Sequence, residues 1–138
     1  MFKRILVVFA IFFVFANLIC FNNTPVFEEY ASAYTVCLDD NSSCGRFKTV
    51  TRLTYALNLS RFGESCTICR QDFNLHEFIK DFNACNVFIE STADGTNYYL
   101  YSDKVKYLKI INGQKVNLQV FVGENRVVLG TPIIFAGY

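Results

Sequence analysis

Apolar residues change their period several times along the chain, and each change predicts a different element. Behind Lys3 and Arg4 stands an apolar run from Ile5 to Ala16, followed by Asn17, Leu18, Ile19 and Cys20. From Thr51 to Ser60, Leu53, Tyr55, Leu57 and Leu59 alternate with Arg52, Thr54, Asn58 and Ser60. A period of two predicts a half-buried strand there, with Asn58 on its solvent side. Leu75, Phe78, Ile79 and Phe82 then recur at i, i+3, i+4 and i+7 between His76, Glu77, Lys80 and Asp81. That spacing predicts a helix over 75–84. Asn74 can cap its first turn, Glu77 can return a bond to the cap, and Phe73 with Phe78 can form a hydrophobic staple. Cys85 continues the apolar face and is expected to be buried.

Short strands predominate elsewhere. Residues 21–47 read as an irregular arm with a strand at Ala33–Cys37. Val87–Glu90 and Tyr98–Tyr101 flank Asp94-Gly95, while Val105–Ile111 and Lys115–Val122 flank Asn112-Gly113. Both central residues of the second turn accept positive φ, which predicts a type I′ hairpin. Val116, Leu118, Val120 and Val122 alternate with Lys115, Asn117 and Gln119, and turns at Gly123-Glu124-Asn125 and Gly130-Thr131-Pro132 bound further strands at Arg126–Leu129 and Ile133–Ala136. The expected fold is mainly β, an antiparallel meander or sandwich with one short amphipathic helix.

Charge and length alter this picture chiefly at the start of the chain. The 138 residues fit one domain, and 52% apolar against 18% charged residues supplies enough surface for a folded core. A net charge of +1 argues against nucleic-acid binding. Lys3, Arg4 and the run behind them have the charged and apolar regions of a secretory signal. Residues 1–16 are expected to be a signal peptide and 17–138 a single luminal or secreted domain. Cleavage before Phe21 is the alternative site, and an uncleaved leader would be a membrane anchor. Removal of Lys3 and Arg4 takes thirteen basic residues to eleven against twelve acidic ones, a charge of −1. In the lumen, Asn22, Asn41 and Asn58 head Asn-x-Ser/Thr sequons, with Asn41 in the most loop-like setting.

An oxidising compartment makes disulfides the first reading of Cys37, Cys44, Cys66, Cys69 and Cys85, joined by Cys20 if cleavage precedes Asn17. Cys37 and Cys44 bracket a short polar loop, and either Cys66 or Cys69 is expected to pair with Cys85. An odd cysteine left by cleavage before Phe21 would stay free or join two chains.

The residues with enzymatic suggestion are Cys66 and Cys69, since C-x-x-C ahead of a helix can hold a reactive thiolate. Gly130-Thr131-Pro132-Ile133 is similar to the proline segment facing the active disulfide of thioredoxin-like proteins. The alternative function is therefore an exported thiol-disulfide oxidoreductase using Cys66, Cys69 and Pro132. About 40 residues of hairpins where that fold has a helix argue against it. Cys66, Cys69, His76 and Cys85 make a poor zinc set, because His76 belongs to the polar helix face, so neither metal nor cofactor is expected. Glu28-Glu29 and Asp39-Asp40 read as solvated loop charges. Tyr98, Tyr99 and Tyr101 must divide between two sheet faces, and the exposed ones are the candidate partner surface.

The leader Met1–Cys20, the luminal cysteines on a Phe-, Val- and Tyr-rich body, and Arg126-Val127-Val128-Leu129 together resemble the small secreted accessory glycoproteins of coronaviruses. That resemblance implies an immunoglobulin-like fold and a non-catalytic protein, secreted or resident in the endoplasmic reticulum. It implies binding to host proteins, modulation of immune responses and a disulfide-linked homodimer as one state. The chain departs from the immunoglobulin pattern in having no Trp, in its helix at 75–84 and in lacking a late cysteine on Lys115–Val122.

Overall fold

The structure is a computed structural model and describes residues 2–38, 46–57 and 60–135. Helix α1 (Phe2–Asn22) leads to strands β1 (Ala33–Cys37) and β2 (Phe47–Thr51), helix α2 (Arg52–Leu57) and strand β3 (Gly63–Cys69). Helix α3 (Leu75–Asp81) precedes the hairpin of β4 (Cys85–Thr92) and β5 (Gly95–Tyr101). A ribbon of β6 (Lys109–Ile111) and β7 (Gln114–Val116) follows, then β8 (Leu118–Gly123) and β9 (Arg126–Thr131). Seven strands form one antiparallel sheet in the order β2-β1-β3-β9-β8-β5-β4. The fold is mainly β, as the patterning predicts, but it holds one seven-stranded sheet where an immunoglobulin sandwich has two facing ones.

Cross-strand partners share a face, so the register sorts the side chains. Cys66, Leu129, Val120 and Tyr98 form one row across β3, β9, β8 and β5, on the core face. Ser65, Gly130, Gln119, Tyr99 and Phe88 form the neighbouring row on the outer face. Helix α3 contributes to the core with Phe78, which is fully buried among the rings of Phe27, Tyr30, Phe73 and Phe82. Phe27 enters the core from the turn after α1, a contribution not visible in the arm's irregular sequence.

Local chemistry explains the element boundaries. Asn74 caps α3 by accepting from the backbone N–H groups of His76 and Glu77, and Phe73 and Phe78 stand 5.6 Å apart as the staple requires. The helix ends before residue 84 because Asn83 adopts φ 47°. The N–H of Asn83 bonds to Lys80 O and that of Ala84 to Ile79 O, the pattern of a Schellman stop. Asn112 and Gly113 both have positive φ, as the type I′ hairpin demands, but its arms shrink to β6 and β7. Asn117 interrupts the longer arm by accepting from Ser102 N and donating to the carbonyls of Ser102 and Val105.

Over its described residues, the half-buried strand predicted at Thr51–Ser60 is instead the end of β2 followed by α2. Within α2 the adjacent Tyr55 and Ala56 are buried, whereas Leu53 and Leu57, one helical turn apart, are exposed. Thr54 Oγ1 accepts from Thr51 N, which turns the chain out of β2. The strand predicted at Ile133–Ala136 is likewise absent over its described residues. After Thr131 the chain folds back across the outer face, and Ile134 N donates to Gln119 Oε1. Gly130 makes room for this return, since a Cβ there would lie 2.6 Å from Ile134 Cγ1. The same segment explains why Gln119, expected on a solvated face, is buried and bonded to Asn97.

Candidate functional site

The cysteines do not assemble as predicted. Cys66 and Cys69 both lie on β3, three positions apart in an unbroken register, so their side chains leave opposite faces of the sheet. Cys66 is buried and Cys69 exposed. Burial, with Glu64 close by, pushes the Cys66 thiol up to about 12, the reverse of an activated thiolate. Pro132 follows Thr131, the partner of Glu64, at the opposite end of β3 from Cys69. The expected bridge from Cys66 or Cys69 to Cys85 is also absent, and all three are thiols. Cys85 starts β4, four strand spacings from β3, or roughly 19 Å at about 4.8 Å per strand. A disulfide needs Cα atoms within about 7 Å.

Cys85 is exposed where burial was expected, because α3 stops before it, and its Sγ contacts Tyr101 O at 3.5 Å. Cys37 is buried at the end of β1, while Cys44, at the other end of the loop they bracket, lies outside the described residues. Asn41 and Asn58 also lie outside them, as do the side chains of Cys20 and Asn22. His76 is exposed on α3, and among the described residues no three His, Cys, Asp or Glu side chains converge as metal ligands.

The tyrosines separate by face. Tyr98 packs against the core, whereas Tyr99 lies on the outer face with its ring stacked on Phe88 at 4.2 Å. The Tyr99 hydroxyl donates to Glu90 Oε2 at 3.2 Å. Tyr101 shares that face, and its hydrogen bond with Asp103, reinforced by the carboxylate charge, raises its pKa. Both side chains are half-buried, beside β4 at the end of the sheet, where Ile89 is 52% exposed. Aromatic rings held by neighbours and flanked by polar groups suit protein contact.

A second arrangement, which the patterning did not reveal, surrounds Glu64. Its side chain is only 1% exposed. Its Oε1 accepts from Val26 N at 2.6 Å and Phe27 N at 3.2 Å, and its Oε2 accepts from the Tyr55 hydroxyl. Burial raises its pKa, opposed by those bonds and by Arg61. Arg61 lies 3.7 Å above the Tyr55 ring, donates to Tyr55 O at 2.8 Å and reaches Asn23 Oδ1. Beside this pair opens a cleft of about 490 Å³, lined also by Phe82, Lys104, Lys106 and Tyr107. No pattern in Gly63-Glu64-Ser65 marks this residue, and the strands paired on both sides of β3 make it interior.

Together these features define a small antiparallel β protein with an aromatic sheet edge and a cationic cleft over a buried carboxyl group. No protein-family model matches the chain, and no curated protein or solved structure matches it.

Proposed function

We propose that the chain is exported and acts without catalysis, by binding host proteins, in the manner of the coronavirus accessory glycoproteins that it resembles. The observation that carries export is α1. Every described side chain from Ile5 to Ile19 is exposed, including Phe9 at 71% and Phe12 at 74%. Among the described residues the buried core is built after α1, and the side chains from Ile5 to Ile19 make no contribution to it. An apolar segment left uncovered by its own domain suits a leader recognised by the export machinery. Among the described residues no helix is long and apolar enough to cross a membrane, and an anchor is the reading only for an uncleaved leader.

The outer face at Phe88, Tyr99 and Tyr101 is the partner surface this reading favours. Exposed Cys69 and Cys85 are available for a bridge between two chains. The oxidoreductase reading has no support from the placement of Cys66, Cys69 and Pro132. Expression of the full chain in mammalian cells tests export. The expected result is a band that shifts to lower mass with endoglycosidase and loses part of that shift in Asn41→Gln. A chain that remains unglycosylated in the cytosol contradicts the proposal.

A further inference from the structure

We infer that the cleft lined by Asn23, Tyr55, Arg61, Lys104, Lys106 and Tyr107 is a binding site for an oxyanion, a phosphate or sulfate group. Three cationic side chains and no carboxylate line it. The acid beneath it, Glu64, is buried and engaged by two backbone N–H groups and the Tyr55 hydroxyl. Asymmetric charge around a concave surface concentrates anions there.

Two of the three cations, Arg61 and Lys104, are also held in place. Arg61 is fixed by the Tyr55 ring below it and by bonds to Tyr55 O and Asn23. Lys104 donates to Asp81 O at 2.6 Å. The loop that carries both lysines is tied by the buried Asn117 to Ser102 and Val105, and Ser102 Oγ in turn accepts from Lys104 N. Guanidinium and ammonium donors arranged beforehand around one opening suit a tetrahedral oxyanion, because little side-chain freedom remains to be lost on binding. The site also adjoins a lipid-compatible surface. Helix α2, which supplies Tyr55 to the lining, presents exposed Leu53 and Leu57. The oxyanion can therefore come from a soluble compound or a lipid headgroup, and the chemistry at Arg61, Lys104 and Lys106 is shared.

The test titrates the full chain with inorganic phosphate and sulfate, following amide chemical shifts, and floats it with phosphatidylcholine vesicles containing phosphatidic acid or lacking it. The expected result is saturable shifts at residues 23, 61 and 104–107. Lys106→Glu, which removes no hydrogen bond of the fold, should weaken binding about tenfold, and Lys104→Ala/Lys106→Ala should weaken it further. The control Lys48→Ala/Lys115→Ala should retain it. Flotation with phosphatidic acid that Lys106→Glu abolishes identifies the source as a headgroup; phosphate binding without flotation identifies a soluble one. Absence of saturable shifts, or equal weakening by the control pair, overturns the inference.

Discussion

Glu64→Ala is expected to destabilise the protein by on the order of 3–5 kcal/mol, because it strands several buried donors at once. The backbone N–H groups of Val26 and Phe27 and the Tyr55 hydroxyl all converge on this one carboxyl group. The loss would appear in urea denaturation as a midpoint lowered by roughly 2 M. A change under about 1 kcal/mol would show that water or other groups satisfy these donors.

Glu64→Gln separates the charge from the shape. Burial raises the folded-state pKa of Glu64 above its ordinary value of 4.5. Below that ordinary value both folded and unfolded chains hold the proton, and the group's contribution to stability is fully present. As pH climbs toward the raised value the unfolded chain releases a proton that the folded chain keeps, so stability declines across that window and levels off above it. Glu64→Gln should flatten this decline while retaining an acceptor for Val26 and Phe27. Denaturation midpoints measured across the acidic to neutral range check the sign. Stability that rises with pH through the same window, and loses that rise in the glutamine variant, would reverse the assignment.

Phe78→Ala should destabilise by about 3–5 kcal/mol, the range for deleting a fully buried ring. Phe78 is 0% exposed, and its ring lies 4.7 Å from Phe82, 5.4 Å from Tyr30 and 5.6 Å from Phe73. Those neighbours come from the N-terminal arm, the loop after β3 and the turn after α3, so no single segment can collapse to fill the space. Equilibrium denaturation measures the loss, and near-ultraviolet circular dichroism should lose aromatic signal with it. A cost below about 1 kcal/mol would mean that the aromatic cluster repacks freely.

The parts of the fold legible in sequence are those set by neighbours along the chain. Ala33–Cys37 is a strand as expected, Asn74 and Phe73 start α3, and Asn112-Gly113 turns a hairpin. These depend on caps, turns and local periods, which need only a few adjacent residues. Distant contacts account for the failures. Alternation predicts a strand at Tyr55, but Tyr55 turns inward from a helix to meet Glu64, nine residues on. Gln119 has a polar position in an alternating strand and is buried because the segment after Thr131 returns over it.

The candidate sites divide in the same way. Strand alternation correctly required the tyrosines to point to both faces, and Tyr99 and Tyr101 emerge on the outer one. Spacing alone misplaced C-x-x-C, since on a strand the same interval sends the two sulfurs apart. The cleft was not legible, because Asn23, Arg61 and Lys104–Lys106 come from three separated segments with no shared motif.

The proposed function makes the chain an exported binding domain in which Cys66 and Cys69 are structural positions and not a redox pair. Its most direct test is a mass map of the protein recovered from the secretory route of mammalian cells, alkylated before any denaturant and digested without reductant. The expected map has an N-terminus at Asn17 or Phe21, a glycan on Asn41 and a Cys66 that alkylates only after unfolding. A Cys66–Cys69 bond that mild reductant opens in the folded protein would contradict it.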